Sequence, residues 1–139
     1  MKKRGIGVGC MQYGIGYGFS RQDIASAILE VCYDGSVICR SGEVDYGQGS
    51  DTVVCQIISE ELGIPYTDVQ LISADTFATP NSGPTSASRV TYVIGNVLLN
   101  VTKQIKDEMS KVAAELLGED EYIFKDQRVC SKKNPDTWI

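Results

Sequence analysis

Apolar residues recur at helical spacing in two stretches of the chain. The first stretch follows Gly49, and its repeats of three and four residues predict a helix that ends at Gly63, with Pro65 as a breaker. The second stretch predicts a helix from about Ser86 to Leu117. Such a helix would be about 48 Å long at 1.5 Å per residue, which is unusual for a small domain, so a break near Asp107 is the competing interpretation.

Alternating apolar and polar positions predict the strands. We expect strands over about 24–33, 37–41 and 69–73, with a hairpin turn at Asp34-Gly35. Residues 4–13 are interpreted as a glycine-rich first strand, in which Gly5, Gly7 and Gly9 share one bare face. Residues 122–124 and 128–130 predict a terminal hairpin.

This order of elements is β-β-β-α-β-α followed by a short hairpin. It predicts an α+β fold in which two helices pack on one mixed β-sheet, within a single domain over residues 1–139. A three-layer arrangement with helices on both faces is the alternative.

Composition narrows the function classes. The chain has 139 residues, 42% of them hydrophobic, and a formal charge of −5. These values suit a globular domain and argue against a nucleic-acid surface, which needs a basic stripe. No run approaches the roughly 20 apolar residues of a membrane span, and glycine interrupts the apolar N-terminal segment where a leader would be continuous. We therefore expect a cytoplasmic protein with no membrane partner.

Cysteine and histidine usage excludes several chemistries. The five cysteines are odd in number and no two have Cys-x-x-Cys spacing, which predicts reduced and mostly buried thiols rather than a zinc or iron–sulfur site. The chain has no histidine. A Ser-His-Asp triad, a Cys-His pair and an imidazole metal site are therefore impossible within it.

Two glycines bracket an amide side chain between the third strand and the first helix. Gly47-Gln48-Gly49 lets a ligand approach the backbone closely, and the first N–H groups of a helix attract anions. A plain tight turn is the alternative interpretation of this loop. A second loop, over residues 75–89, opens the next helix with small and hydroxyl residues. Two such helix starts in one domain suggest a ligand with several polar groups.

The order of these blocks resembles a known family. Gly-Gln-Gly before a helix, then Asp75-Thr76, then residues 79–89 (Thr-Pro-Asn-Ser-Gly-Pro-Thr-Ser-Ala-Ser-Arg) are similar to the molybdenum cofactor-binding domain of the xanthine dehydrogenase and aldehyde oxidoreductase family. The resemblance covers roughly residues 4 to 118. It implies that Gly47, Gln48 and Gly49 touch the pterin. It also implies that the start of the second helix contacts the pterin or its phosphate through Ala87, Ser88, Arg89 and Val90.

The same resemblance implies a function and a set of partners. The expected cofactor is molybdenum-molybdopterin in its cytosine dinucleotide form, and the expected reaction is the hydroxylation of N-heterocycles or aldehydes with oxygen from water. Iron–sulfur and FAD groups are expected on partner domains or subunits, and a small molecule as the substrate. The family's arginine loop and Gly-x-Gly-Glu segment have no match here, so we expect an incomplete domain that carries no catalytic residue and no metal ligand of its own.

Two other functions remain open at this point. One is a non-catalytic module that binds phosphate or a nucleotide, and the other is an assembly domain. Because an incomplete domain leaves apolar faces uncovered, we also expect the isolated chain to form a homodimer.

Overall fold

The computed structural model describes residues 2–18, 20, 22–118 and 121–139. It contains a three-stranded sheet, two long helices and a terminal hairpin. The sheet strands are β1 (Ala27–Val31), β2 (Val37–Ser41) and β3 (Val69–Ser73), the helices are α1 (Ser50–Leu62) and α2 (Val90–Leu117), and the hairpin strands are β4 (Tyr122–Lys125) and β5 (Arg128–Ser131).

The sheet has the order β1-β2-β3 and mixed direction. β1 and β2 are antiparallel and are joined by a turn at Gly35, whose φ of 86° suits glycine. β2 and β3 are parallel, because the chain crosses over through α1 between them. The predicted mixed sheet is confirmed.

Both helices pack on one face of this sheet. Alternate residues of β2 point into the core, where Ile58 of α1 and Ile94 and Leu98 of α2 are fully buried. The opposite face of the sheet carries exposed positions such as Ile28 and Gln70. The α+β prediction is therefore confirmed, and the three-layer alternative is wrong for the part of the chain that the structure describes.

Three sequence-based predictions need correction. The predicted first strand, residues 4–13, is wrong for the described part of the chain: these residues form no strand, so the observed order is β-β-α-β-α-β-β. α2 runs unbroken through Asp107, and the competing break is wrong. The helix begins at Val90 rather than Ser86, since Ala87 and Ser88 have positive φ angles of 53° and 49°, which a right-handed helix cannot contain.

The end of α1 anchors the terminal hairpin. Gly63 adopts the left-handed conformation, with φ at 66°, and its N–H donates to the Ser59 carbonyl oxygen. Its own carbonyl oxygen accepts from the N–H of Gln127, in the turn between β4 and β5, at 2.9 Å. The predicted helix end and the predicted hairpin are both confirmed.

The burial of the five cysteines differs from the sequence-based prediction. None of the five cysteines forms a disulfide among the described residues, but only Cys39 and Cys55 are buried, while Cys10 is exposed. The prediction of mostly buried thiols therefore fails for the other three.

Neither α1 nor α2 has the length and apolar character that a bilayer crossing requires, and this holds for every helix in the described part of the chain.

Candidate functional site

The Gly47-Gln48-Gly49 loop connects the end of β2 to the start of α1. Gly47 and Gly49 have φ angles of 115° and 83°, which favour glycine. A Cβ atom built on either glycine would meet no atom within 4 Å. The glycines are therefore required by backbone conformation, and the space in front of them is open.

The side-chain amide of Gln48 closes this loop on itself. Its Nε2 donates to the Val44 carbonyl oxygen and to Ser50 Oγ, both at 2.9 Å, and its Oε1 accepts from the Tyr46 N–H at 2.8 Å. The amide thus both donates and accepts, as predicted, but toward its own loop. Gln48 fixes the shape of the surface that a ligand would meet.

The carboxylate of Asp45 binds main-chain N–H groups at the start of α1. Its Oδ1 accepts from the N–H groups of Gly47 (2.8 Å) and Gly49 (3.3 Å), and its Oδ2 from the N–H of Asp51 (3.1 Å). These bonds hold the pKa of the Asp45 carboxyl below its usual range, the bond from Gly47 having the largest effect. The prediction that the first N–H groups of this helix are free for an anion is wrong for Gly49 and Asp51, because a carboxylate of the chain already binds them.

The start of α2 is different. The residue that caps it, Arg89, forms no side-chain capping bond. Ala87 and Ser88 precede it in the left-handed region, which costs energy for residues other than glycine and is frequent at ligand-binding loops. Ser88 and Val90, on either side of Arg89, lie in the wall of a cleft that Gln48 also lines.

The side chain of Arg89 is buried and points away from this surface. Its guanidinium is 1% exposed and pairs with Asp23 at 2.9 Å. Its Nη1 donates to the carbonyl oxygens of Ser82 (3.0 Å) and Pro84 (2.9 Å), and its Nη2 to that of Ile24. Arg89 therefore fastens the loop before α2 to the segment before β1, and its own N–H donates to the Ser86 carbonyl oxygen at 3.2 Å.

The two helix starts meet across one cleft of about 330 Å³. Gln48 and Ser50 line one side, and Ser86, Ser88 and Thr91 line the other. The complete lining also includes Tyr46, Val53, Thr85, Arg89 and Val90. No residue of this lining is acidic, and most carry hydroxyl or amide groups, which suits a polar or anionic ligand.

Four of the seven predicted site residues line this cleft together. Gln48, Ser88, Arg89 and Val90 come from segments about 40 positions apart in the chain. Gly47, Gly49 and Ala87 are not in the lining. Each is adjacent to a lining residue and has a positive φ angle, which shapes the turn that carries that residue.

Sequence reasoning missed the residues that hold the cleft in shape. Asp45 lies two residues before Gly47, and this Asp-x-Gly spacing is a turn signal that could have been found. Asp23 is 66 positions from its partner Arg89, and no local pattern reveals the pair. Tyr17 is also distant from Ser86, yet their hydroxyl groups are hydrogen-bonded beside the cleft.

A buried acid lies behind the loop. Glu43 is 1% exposed, and its Oε2 accepts a hydrogen bond from Ser41 Oγ, while its Oε1 has no partner among the described residues. Ser82 Oγ accepts from the Gly42 N–H at 2.8 Å and so joins this strand end to the loop before α2. The alternation of β2 places Glu43 inward, but the sequence gives no reason to expect an acid in the core.

Comparison with known proteins identifies the family of this chain. A family model described as a molybdopterin cofactor-binding domain matches residues 1–138. The xanthine dehydrogenase molybdenum-binding subunit of Escherichia coli O157:H7 is 36% identical over 116 residues, which are 83% of this chain and 15% of that protein. Xanthine dehydrogenase of Drosophila subobscura is 32% identical over 115 residues, 83% of this chain and 9% of that protein.

Solved structures show the same fold. The Cu,Mo-CO dehydrogenase superposes with a TM-score of 0.77 and 30% identity, over 86% of this chain and 15% of that one. The aldehyde oxidoreductase of Desulfovibrio desulfuricans gives a TM-score of 0.59 and 32% identity, over 70% of this chain and 11% of that one. The chain thus spans about a sixth or less of the relatives it matches. It belongs to the molybdopterin cofactor-binding domain family of the molybdenum hydroxylases.

Proposed function

We propose that this chain is the part of a molybdenum hydroxylase large subunit that holds the pterin end of the cofactor. The observation that carries this proposal is the convergence of the Gln48 loop and the start of α2 on one cleft without acidic residues. Family membership gives the cofactor class, and the cleft gives the place on this chain.

The residues of the cleft fit a pterin with its phosphate. Gly47 and Gly49 flank Gln48 beside the cleft, and the open space before them admits a flat polar group close to the backbone. The uncapped start of α2 offers main-chain donors to an anion. We assign the pterin contacts to the Gln48 loop, and the phosphate contacts to the N–H groups of Ser88 and Val90, since the N–H of Arg89 donates to the Ser86 carbonyl oxygen at 3.2 Å.

The chain's own residues do positioning work. Gln48 and Asp45 hold the first loop through side-chain bonds to its backbone, while Arg89 holds the second loop through Asp23 and three carbonyl oxygens. When bound, the cofactor supplies the redox chemistry, and the protein supplies binding and orientation. A cleft built by such networks stays in shape before the ligand arrives, so less ordering is needed on binding.

The finer assignments extend the proposal to the cofactor form, the substrates and the electron acceptors. We propose the cytosine dinucleotide form of the cofactor, N-heterocycles or aldehydes as substrates, and electron transfer to iron–sulfur and flavin groups on partner domains or subunits in the cytoplasm. Support comes from relatives named as xanthine dehydrogenase and as aldehyde oxidoreductase. The catalytic base and the arginine beside the substrate are expected in other segments of the subunit.

The test is Gln48→Ala in a complete molybdenum subunit that carries this segment. The substitution removes three hydrogen bonds that shape the loop, each worth about 0.5 to 1.5 kcal/mol. We expect a lower molybdenum and pterin content in the purified protein, with the far-UV circular dichroism unchanged. Gln70→Ala is the matched control, since Gln70 is an exposed glutamine of β3 outside the cleft. Equal molybdenum content in all three proteins would contradict the assignment of the site.

A non-catalytic module for phosphate or nucleotides is the second candidate. The uncapped α2 start is the observation in its favour. Titration of the isolated chain with cytidine diphosphate distinguishes the two. Saturable binding that is unaffected in Gln48→Ala would favour the module, while the cofactor site predicts that both loops are needed.

A further inference from the structure

Two hydroxyl groups attach the end of β2 to the loop before α2. Beyond the end of β2, Gly42 and Val44 belong to no strand in the described part of the chain. The Gly42 N–H donates to Ser82 Oγ, and the Val44 N–H donates to Thr85 Oγ1, both at 2.8 Å. Hydroxyl oxygens of one loop thus take the place of the carbonyl acceptors that a neighbouring strand would supply.

The bond to Ser82 belongs to the packed interior of the domain. Ser82 is buried, its Oγ also donates to the Ser26 carbonyl oxygen at 2.6 Å, and its carbonyl oxygen accepts from Arg89 Nη1 at 3.0 Å. A Cβ atom on Gly42 would lie 2.4 Å from the Pro80 carbonyl oxygen, so the two segments are in close contact here. Ser82 therefore serves the fold as a whole, and its loss would not report on the cleft alone.

The bond to Thr85 is different, because it links the two walls of the cleft. Thr85 is half-buried and lines the cleft on the same side as Ser86. Val44, whose N–H binds Thr85, uses its carbonyl oxygen to accept from Gln48 Nε2 at 2.9 Å. One residue of the chain therefore joins the hydroxyl group of Thr85 to the amide group of Gln48.

Thr85 also directly precedes the turn that carries the second wall. In this turn the Ser86 carbonyl oxygen accepts from the Arg89 N–H at 3.2 Å, and Ala87 and Ser88 have positive φ angles. Arg89 fixes the far end of the turn through its buried guanidinium, and Thr85 fixes the near end through Val44. The position of the turn relative to the Gln48 loop thus depends on the Thr85 hydroxyl group.

We infer that Thr85 is a positioning residue that sets the separation between the two walls of the cleft. Its hydroxyl oxygen holds Val44, and Val44 holds Gln48, so the distance from the Gln48 loop to Ser88 is fixed before the cofactor binds. A rigid ligand that contacts both walls loses contacts on one of them when their separation changes. The inference rests on the proposed function, and it gives Thr85 a role that requires no contact between Thr85 and the cofactor.

The experiment measures the rate at which a complete molybdenum subunit carrying this segment loses molybdenum and pterin after dilution. Thr85→Val keeps the branched shape and removes the acceptor, so we expect loss about threefold to tenfold faster, the effect of one hydrogen bond. Thr85→Ser keeps the hydroxyl group and should stay within about twofold of the parent. Thr79→Val is the matched control, because Thr79 lies outside the cleft and its Oγ1 donates within its own loop, to the Asp75 carbonyl oxygen at 2.6 Å.

Two further measurements separate positioning from a general loss of stability. Because Thr85 and Gln48 both hold Val44, the rate factor for the double variant Gln48→Ala/Thr85→Val should be smaller than the product of the two single factors. Amide hydrogen exchange over residues 42–48 in the cofactor-free subunit should be faster in Thr85→Val than in the parent, and unchanged in Thr85→Ser.

The outcomes distinguish this inference from the proposed function. If Gln48→Ala loses cofactor no faster than the parent, the proposed function fails and the inference falls with it. If Gln48→Ala loses cofactor faster while Thr85→Val matches the parent, the inference alone is overturned. It is also overturned if Thr85→Ser behaves like Thr85→Val, if the single factors multiply in the double variant, or if amide exchange over residues 42–48 is the same in Thr85→Val and the parent.

Discussion

Cys39 shows how the core controls the chemistry of a single residue. It is fully buried in β2, and burial, with smaller contributions from Glu43 and Cys55, raises the pKa of its thiol to about 12 from an ordinary value of 9.0. The folded chain therefore keeps this thiol neutral at a pH where an unfolded chain would ionise it. A buried neutral thiol is inert toward alkylating reagents.

This shift predicts a pH dependence of stability. Because the pKa is raised in the folded state, the stabilisation from Cys39 is complete below pH 9.0 and decreases as the pH rises toward about 12. The slope attributable to one such proton is at most about 1.4 kcal/mol per pH unit. We expect urea titrations between pH 8 and pH 11 (roughly the accessible part of this window) to show a flatter decline for Cys39→Ala than for the parent. Parallel declines in the two proteins would contradict it, since the other titrating groups are common to both.

Among the elements, the junction of α1 with the terminal hairpin depends on one glycine. Gly63 and Gly118 end α1 and α2 with nearly equal φ angles of 66° and 71°. Their surroundings differ, because a Cβ atom on Gly63 would lie 2.4 Å from the Phe124 carbonyl oxygen, whereas one on Gly118 would meet nothing within 4 Å.

These two glycines form a matched pair for mutagenesis. Gly118→Ala should cost only the strain of a left-handed alanine, about 1 to 2 kcal/mol of unfolding free energy. Gly63→Ala should cost more by at least about 1 kcal/mol, because β4 must move and the bond from Gln127 to Gly63 is lost. Chemical denaturation measures both, and equal losses would show that the contact with β4 contributes nothing.

Elements with strong local signals were predictable, and those set by distant contacts were not. Strands 37–41 and 69–73 and the end of α1 at Gly63 agree with the sequence, since alternation and a glycine stop are local properties. Residues 4–13 read as a strand from their own pattern, but a strand also needs a neighbour, which the pattern cannot reveal. The sequence predicts that α2 starts at Ser86, but the helix begins at Val90. The turn before it is held by the ion pair between Arg89 and the distant Asp23, which the local pattern cannot reveal.

The site was predictable in the same uneven way. Gln48 and Ser88, both singled out in the sequence, line the same cleft, although the glycines beside Gln48 do not. The sequence did not predict that the Asp45 carboxylate accepts from the first N–H groups of α1. Asp45 is close in sequence, but several acceptors could compete for those N–H groups. Local spacing locates a binding loop, while its internal bonds depend on the packed structure.

For the whole molecule, the chemistry that this chain can perform is limited by how little of a complete subunit it represents. The chain corresponds to about 15% of the Escherichia coli molybdenum-binding subunit and of the CO dehydrogenase chain. Its cleft is lined by hydroxyl and amide groups without a carboxylate, and the chain has no histidine. The described segments can therefore orient a cofactor, but the cleft offers no general base near a substrate.

We therefore expect the isolated chain to fold and to hydroxylate neither aldehydes nor N-heterocycles. General-base catalysis typically contributes about 10²- to 10⁴-fold to a rate, and the residues that resemble the family's base and substrate-binding arginine are absent from the matched segment. Steady-state assays with an artificial electron acceptor, using a complete xanthine dehydrogenase as the positive control, measure this directly. A matched preparation from cells without the expression plasmid gives the background. Product formation that co-purifies with the chain and is lost in Gln48→Ala would show that the cleft performs chemistry by itself, and the assignment of positioning roles alone would then be wrong.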